Sequence, residues 1–501
     1  MKIKKTLSLI LSFILLMGTV TVPAAFAADD SVPDGFTAIY NNDNLNAVRN
    51  NLSGKYILMN NLDLSSETNW QPIGDETSPF TGVFYGNGYA IKNMSISVMP
   101  ETKYDSKKCG IGLFGYINNA VIANVNVENV NITINYPYES GYPTGAIAGI
   151  CSSSKILDCS ASGSIKSTLG GSYDAGGIAG TVLGRGNSFI ANCINSANIT
   201  IIGEKDENSF GFGFGSAVAH TTEIGGIAGS VYENNTVSRC VNNGSINIEP
   251  INTVYAGGII GAAYYNAPVI DCANTGDITV TKNAFTGGIC GQSHSIVNSY
   301  NAGSVTVTDT TYAKAGGIAG VTEFKASESH KTYFNATDAK IANCYYINDI
   351  NTAISNANEG TLTSVKALNA EEMKTQSSYA SFDFENTWTI TQGNTPAIKN
   401  ATAKTSVENA EIAVGESFAL PSNAVSVEIS NDSVAVLDSE GNIRGNDDGE
   451  ATIEIITEDG KYQIIEISVV EEGGFFAGIK KKIVLFVVSA FEFFISLFNK
   501  A

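Results

Sequence analysis

One short motif returns seven times between residues 112 and 320, each copy framed by glycine. It reads GLFG at Gly112–Gly115, GAIAG at Gly145–Gly149, then GGIAG at Gly176–Gly180 and Gly225–Gly229. GGIIG at Gly257–Gly261, GGICG at Gly287–Gly291 and GGIAG at Gly316–Gly320 complete the series. The closing glycines are 34, 31, 49, 32, 30 and 29 residues apart. The long step carries an insertion, Gly203–His220, with the run FGFGFG. A near-constant period of this length marks a repeat architecture. A unit of that size with two or three short strands cannot bury its apolar face alone, so neighbours must stack.

Each motif is followed by a second related block: IANCINSANITI from Ile190, VSRCVNNGSINI from Val237, VIDCANTGDITV from Val269 and IVNSYNAGSVTV from Ile296. These blocks are β-branched, alternate at their ends and are punctuated by turn dipeptides. No helix-period pattern runs between about residues 80 and 350. One coil per unit gives a parallel β-helix, its strands pairing at about 4.8 Å from coil to coil. The central Ile of GGIAG points inward, and the glycines allow close approach of coils. Asn192, Asn195 and their equivalents are expected to stack as amide ladders at the bends. The glycine motif lacks the Gly-Lys-Ser/Thr or GxGxxG context of a phosphate loop.

Cys159, Cys193, Cys240, Cys272 and Cys344 hold one repeat position, and none forms a CxxC pair. Parallel side chains on stacked strands bridge poorly, so the thiols read as small buried residues. His220, His294 and His330 are the only histidines and are not spaced with cysteine as a ligand set, so no metal or cofactor is expected.

The formal net charge is −20, with four arginines, Arg49, Arg185, Arg239 and Arg444. Such a surface argues against nucleic acid as a partner, because phosphate binding needs clustered Lys and Arg. Residues 1–27 read as a secretory signal: Lys2, Lys4 and Lys5, an apolar run from Leu7 to Met17, and cleavage after Ala27 in Ala25-Phe26-Ala27. Loss of those three lysines leaves 26 basic and 49 acidic residues, net −23. In the tail, residues 475–501, Lys480, Lys481 and Lys482 precede an apolar stretch with Phe486, Phe491 and Phe494. Ser489, Glu492, Ser496 and Asn499 form a narrow polar stripe there, which predicts an amphipathic helix, read as lying on a membrane surface, with packing on the protein itself or self-association as the alternatives.

The repeated units resemble the GLUG motif family, found in exported bacterial surface proteins and beside some immunoglobulin A peptidase modules. The opening matches as well, with Asn60-Asn61-Leu62-Asp63-Leu64, Trp70-Gln71-Pro72-Ile73-Gly74 and Phe80 through Gly88. So does the close, Leu368 to Asn400 with Phe382, Trp388 and Pro396. The resemblance covers residues 36–402, with an entry cap at 36–100 and an exit cap at 350–402. It implies a right-handed coil and a surface location, and no chemistry. Residues 403–471 alternate as short strands with frequent turns and resemble a bacterial Ig-like group 2 domain. The whole is read as all-β: β-helix, small β-sandwich and C-terminal helix.

For catalysis, Asp271 and Asp277 make the best carboxylate pair, and Asp158 and Asp271 are equivalent but separated by two intervening coils. HExxH and GxSxG are both absent. The expected role is non-catalytic binding or adhesion to a glycan or surface component. A polysaccharide lyase or hydrolase and a structural envelope protein are the alternatives. The expected contact residues are Tyr232, Tyr264, Tyr265, Tyr300, Tyr312, Tyr345 and Tyr346, with Phe210, Phe212 and Phe214 of the insertion as a protruding loop.

Overall fold

The structure is a computed structural model. It describes residues 32, 35–98, 110–136, 142–169, 173–184, 188–203, 221–249, 253–264, 267–281, 284–293, 295–308, 314–322, 339–350, 352–356, 360–399, 406–421, 424–457 and 462–470. The signal segment, the Gly/Phe insertion and the tail lie outside these residues, as do their predicted contact residues.

From Phe36 to Leu368 the strands pair in parallel from coil to coil, which makes a parallel β-helix. Four sheets run along its axis. One coil passes in order through Thr253–Gly257, Ile260–Ala263, Val269–Ile270, then Ala273–Asn274 with Ile278–Val280. We call the corresponding sheets IV, III, I and II; they hold five, eight, eleven and fourteen strands. The glycine motif is the corner between sheets IV and III. Its central Ile147, Ile178, Ile227, Ile259, Ile289 and Ile318 are fully buried in one continuous core.

Two columns of polar residues hold the bends. The first lies between sheets I and II and includes Asn124, Asp158, Asn192, Arg239, Asp271, Asn298 and Asn343, all left-handed with φ between 51° and 56°. Asn and Asp tolerate this conformation best, which explains their recurrence. The second is a buried amide ladder at the start of sheet II. Asn195 Nδ2 donates to Asn242 Oδ1, Asn242 to Asn274 and Asn274 to Asn301, each at 2.8 Å. The ladder also dictates glycine across the core. A Cβ on Gly226 or Gly258 would sit 2.2 or 2.3 Å from the Cγ of Asn242 or Asn274. Where Tyr346 replaces the asparagine, its ring lies against Gly317. The cysteines behave as the sequence predicts: buried and free, with thiols donating to the carbonyl two residues back, as from Cys159 to Leu157 at 3.2 Å.

At the entry end the short helix Asn42–Ala47, capped by Asn41, covers the core with Leu45, and Val48 of the next turn joins it. Trp70 is buried beside it and donates to Leu113 O at 3.1 Å, with Arg49 over its ring at 4.4 Å. Beyond Leu368 the chain runs back along the outer face of sheet II. Met373, Tyr379, Phe382, Trp388 and Ile398 pack there on Ala273, Tyr300 and Tyr345. Arg239 Nη2 donates to Lys399 O at 2.8 Å, several coils before the end.

Residues from Ser406 to Val470 form a separate unit of two facing sheets, one four-stranded and one three-stranded, around a core that includes Ala435, Ile443, Ile453 and Ile467. Its first and last strands, Ser406–Ala413 and Tyr462–Val470, pair in parallel. Lys55 of the first coils donates to Thr452 of this unit at 2.7 Å.

Candidate functional site

Five of the predicted contact tyrosines are described, and the structure corrects their expected exposure. Tyr300 and Tyr345 point outward from sheet II, but the returning exit segment covers them, leaving 1% and 3% exposed. Tyr300 donates to Pro396 O. Tyr346 points into the core. These three cannot form an open stacking platform. Tyr232 and Tyr264 do come together, at the end of sheet III. Their rings stack with centroids 4.8 Å apart and planes 22° from parallel. Tyr264 is nearly buried, and Tyr232 is half-buried. Tyr265, Tyr312, Phe210, Phe212 and Phe214 lie outside the described residues, as do Lys480, Lys481, Lys482, Phe486, Phe491 and Phe494.

What Tyr264 covers was not anticipated. Its hydroxyl donates to Glu223 Oε1 at 2.9 Å. Glu223 is paired in register with Asp174 on the preceding coil of sheet IV, and the two carboxyls are in hydrogen-bond contact. Asp174 Oδ2 also accepts from Thr181 Oγ1 at 2.6 Å and from Ser230 Oγ. Ala175 and Ile224, the next residues on these strands, face the core, so alternation turns the acids outward. Thr181 and Ser230 are likewise the outward residues of sheet III. The site is therefore a cleft where the outer faces of sheets III and IV meet.

Glu223 is 4% exposed. Burial, then the charge of Asp174, holds its carboxyl well above the usual carboxylate range. Like charges in contact disfavour each other's ionisation, which adds to the effect of burial on Glu223. Burial and the same pair push the Tyr264 phenol up as well. The column continues with Tyr255 and Phe285, half-buried and stacked at 5.6 Å and 18°. The cleft thus combines two neighbouring carboxyls, that of Glu223 buried, with two pairs of stacked rings.

The sequence did carry the signal. Asp174, Glu223, Tyr255, Phe285 and Lys314 each stand two residues before the first glycine of their motif. Reading the motif for its glycines alone passed over that column. The pair chosen from sequence, Asp271 and Asp277, falls in two different settings. Asp271 belongs to the left-handed column, where burial raises its carboxyl. Asp277 is exposed and its Oδ1 binds Ser304 at 2.7 Å in a turn. Asp158 and Asp271 are separated by Asn192 and Arg239, as the spacing implied. Among the described residues no group of three or more His, Cys, Asp or Glu is arranged to hold a metal ion, and no helix is long and apolar enough to cross a membrane.

No family model matches the chain, and no curated protein does. Among solved structures, an IgA1 protease aligns with a TM-score of 0.34 and 16% identity, over 66% of this chain and 20% of that one. The chain spans a fifth of the protease's length. A likeness this distant carries no argument; the parallel β-helix rests on this chain's own four sheets.

Proposed function

We propose that this chain is an exported surface protein of the GLUG type, a right-handed β-helix with a bacterial Ig-like group 2 module, that binds a glycan or another surface component without altering it. The observation that supports this most is the cleft between sheets III and IV, where Tyr232–Tyr264 and Tyr255–Phe285 place ring pairs on consecutive coils beside hydrogen-bonding carboxyls. Aromatic faces flanked by acceptors are the usual chemistry of sugar recognition. Export through residues 1–27 and a surface hold through 475–501 complete the reading; N-terminal sequencing of the secreted chain tests cleavage after Ala27.

One observation favours a second reading, a polysaccharide-degrading enzyme. Burial and the neighbouring Asp174 hold the Glu223 carboxyl well above the usual carboxylate range, the direction a general acid requires. Their contact is closer than the roughly 5 Å of retaining or the longer separation of inverting glycosidases, which favours binding. The test is the mature chain on a panel of plant, mucin and wall polysaccharides, with retention and new chain ends read on the same samples. Retention without new ends, weakened in Tyr232→Ala and Tyr255→Ala, supports binding. Release of reducing or unsaturated ends that Glu223→Gln abolishes supports the enzyme.

A further inference from the structure

The outer face of sheet II is built differently from the cleft. In the half of the sheet after the amide ladder, inward positions are mostly isoleucine and valine and the first two outward columns are mostly hydroxyls and amides; the exposed Ile202 and Glu249 follow in the next outward column. One outward column runs Ser95, Asn131, Ser164, Asn198, Ser245 and, after Asp277, Ser304. It spans seven consecutive coils, about 29 Å at the usual interstrand spacing. The parallel column two residues on holds Ser97, Thr133, Thr200, Asn247, Thr279 and Thr306. Lys166 and Asp277 are the only charged residues in the two columns. The side chains are half-buried or exposed. They are held in place along the axis: Ser245 Oγ donates to Asn198 Oδ1 at 2.9 Å, and Ser304 Oγ to Asp277 Oδ1 at 2.7 Å. At the entry end the face opens into a concavity of about 810 Å³ lined by Ser65, Asn93, Ser95, Asn129, Asn131 and Ser164.

We propose that this face is a binding surface for an extended, uncharged polysaccharide lying along the helix axis, and that the concavity receives its end. The proposal rests on the glycan reading above and assigns the polymer to a second site. Three physical points carry it. First, stacked parallel coils with side-chain ladders keep a sheet flat where an ordinary sheet would twist away. A flat row of rungs matches a straight polymer and not a folded protein surface. Second, Ser, Thr and Asn both donate and accept, as sugar hydroxyls do, and short side chains lose little entropy on contact. Third, in a chain of net charge −20 this face is nearly charge-free. With Lys166 as the one cation of its two columns it offers little counter-charge to a polyanion, and the field of the remaining surface repels one.

The experiment uses the mature chain with insoluble cellulose and chitin, soluble xylan, and polygalacturonate as the polyanion. Thr200→Lys/Thr279→Lys places two long cations on the face, and Tyr255→Ala perturbs the cleft. Both sites are on the surface, and unchanged circular dichroism and melting confirm folding. The expected result is binding to a neutral polymer that falls at least tenfold in the double lysine variant and less in Tyr255→Ala. Loss in Tyr255→Ala with none in the lysine variant overturns this proposal and leaves the cleft as the glycan site. Binding to polygalacturonate alone overturns it too. Binding to no polymer at all overturns both.

Discussion

Asn242→Ala removes one rung of the buried amide ladder, and its cost follows from the bonds around it. Asn242 Nδ2 donates to Gly244 O at 2.9 Å and to Asn274 Oδ1 at 2.8 Å. Its Oδ1 accepts from Gly244 N at 3.2 Å and from Asn195 Nδ2 at 2.8 Å. All four bonds go with the side chain, in a place with no solvent exposure. At about 1 kcal/mol net per bond the loss is about 4 kcal/mol, and partners left unpaired push it higher. Asn301→Ala loses fewer: one bond from Asn274 and two within its own turn. It should cost about 3 kcal/mol by the same count. Asn198→Ala, on the exposed face, should cost under about 1 kcal/mol. Stacked repeats open locally, so a single global transition is the wrong reading. Amide hydrogen exchange is the right assay, with protection at Gly226, Gly244 and Gly258 compared among the three variants. Loss concentrated at these corners and graded in the order 242, 301, 198 is expected. Equal protection in Asn242→Ala and Asn198→Ala would refute the claim that the ladder holds the coils together.

Glu223→Gln should stabilise the chain in a pH-dependent way. The folded carboxyl keeps a proton that the unfolded one releases near pH 4.3, so wild-type stability falls as pH rises above that value, by about 1.4 kcal/mol per unit of elevation. Melting curves of the two proteins should coincide at pH 3.5 and separate towards pH 8, the variant melting higher. Gly258→Ala should fail to fold or lose more than about 3 kcal/mol, because its Cβ would meet Gly288 O at 2.2 Å and the Asn274 amide. Gly88→Ala has open space but φ of +77° and should cost about 1 kcal/mol, read by chemical denaturation. The seven described thiols should resist a thiol reagent in the native chain and react on unfolding. They are fully buried, and burial pushes Cys344, for one, up to about 12.

The architecture was legible because the repeat is written in residues with few conformational alternatives. Gly226 and Gly258 admit no side chain, Asn192 and Asp271 sit where left-handed backbone is cheapest, and the Ile of GGIAG has one face to occupy. The site was not legible in the same way. Alternation shows that Tyr300 and Tyr345 point outward, but not that residues 373–398 return to cover them. Asp174 and Glu223 are 49 residues apart in sequence, and the long insertion hides that they are neighbours. Only coil register places their carboxyls in contact.

The backward course of the exit segment has a mechanical consequence. A load applied from the C-terminal side enters the β-helix at Lys399, beside Arg239, and not at the last coil. Between that point and Leu368, Trp388, Phe382 and Tyr379 pack edge-on or tilted against Tyr300 and Tyr345. Tension therefore shears a broad aromatic contact all at once instead of peeling the final strands one bond at a time. The terminal coils stay unloaded until that contact fails.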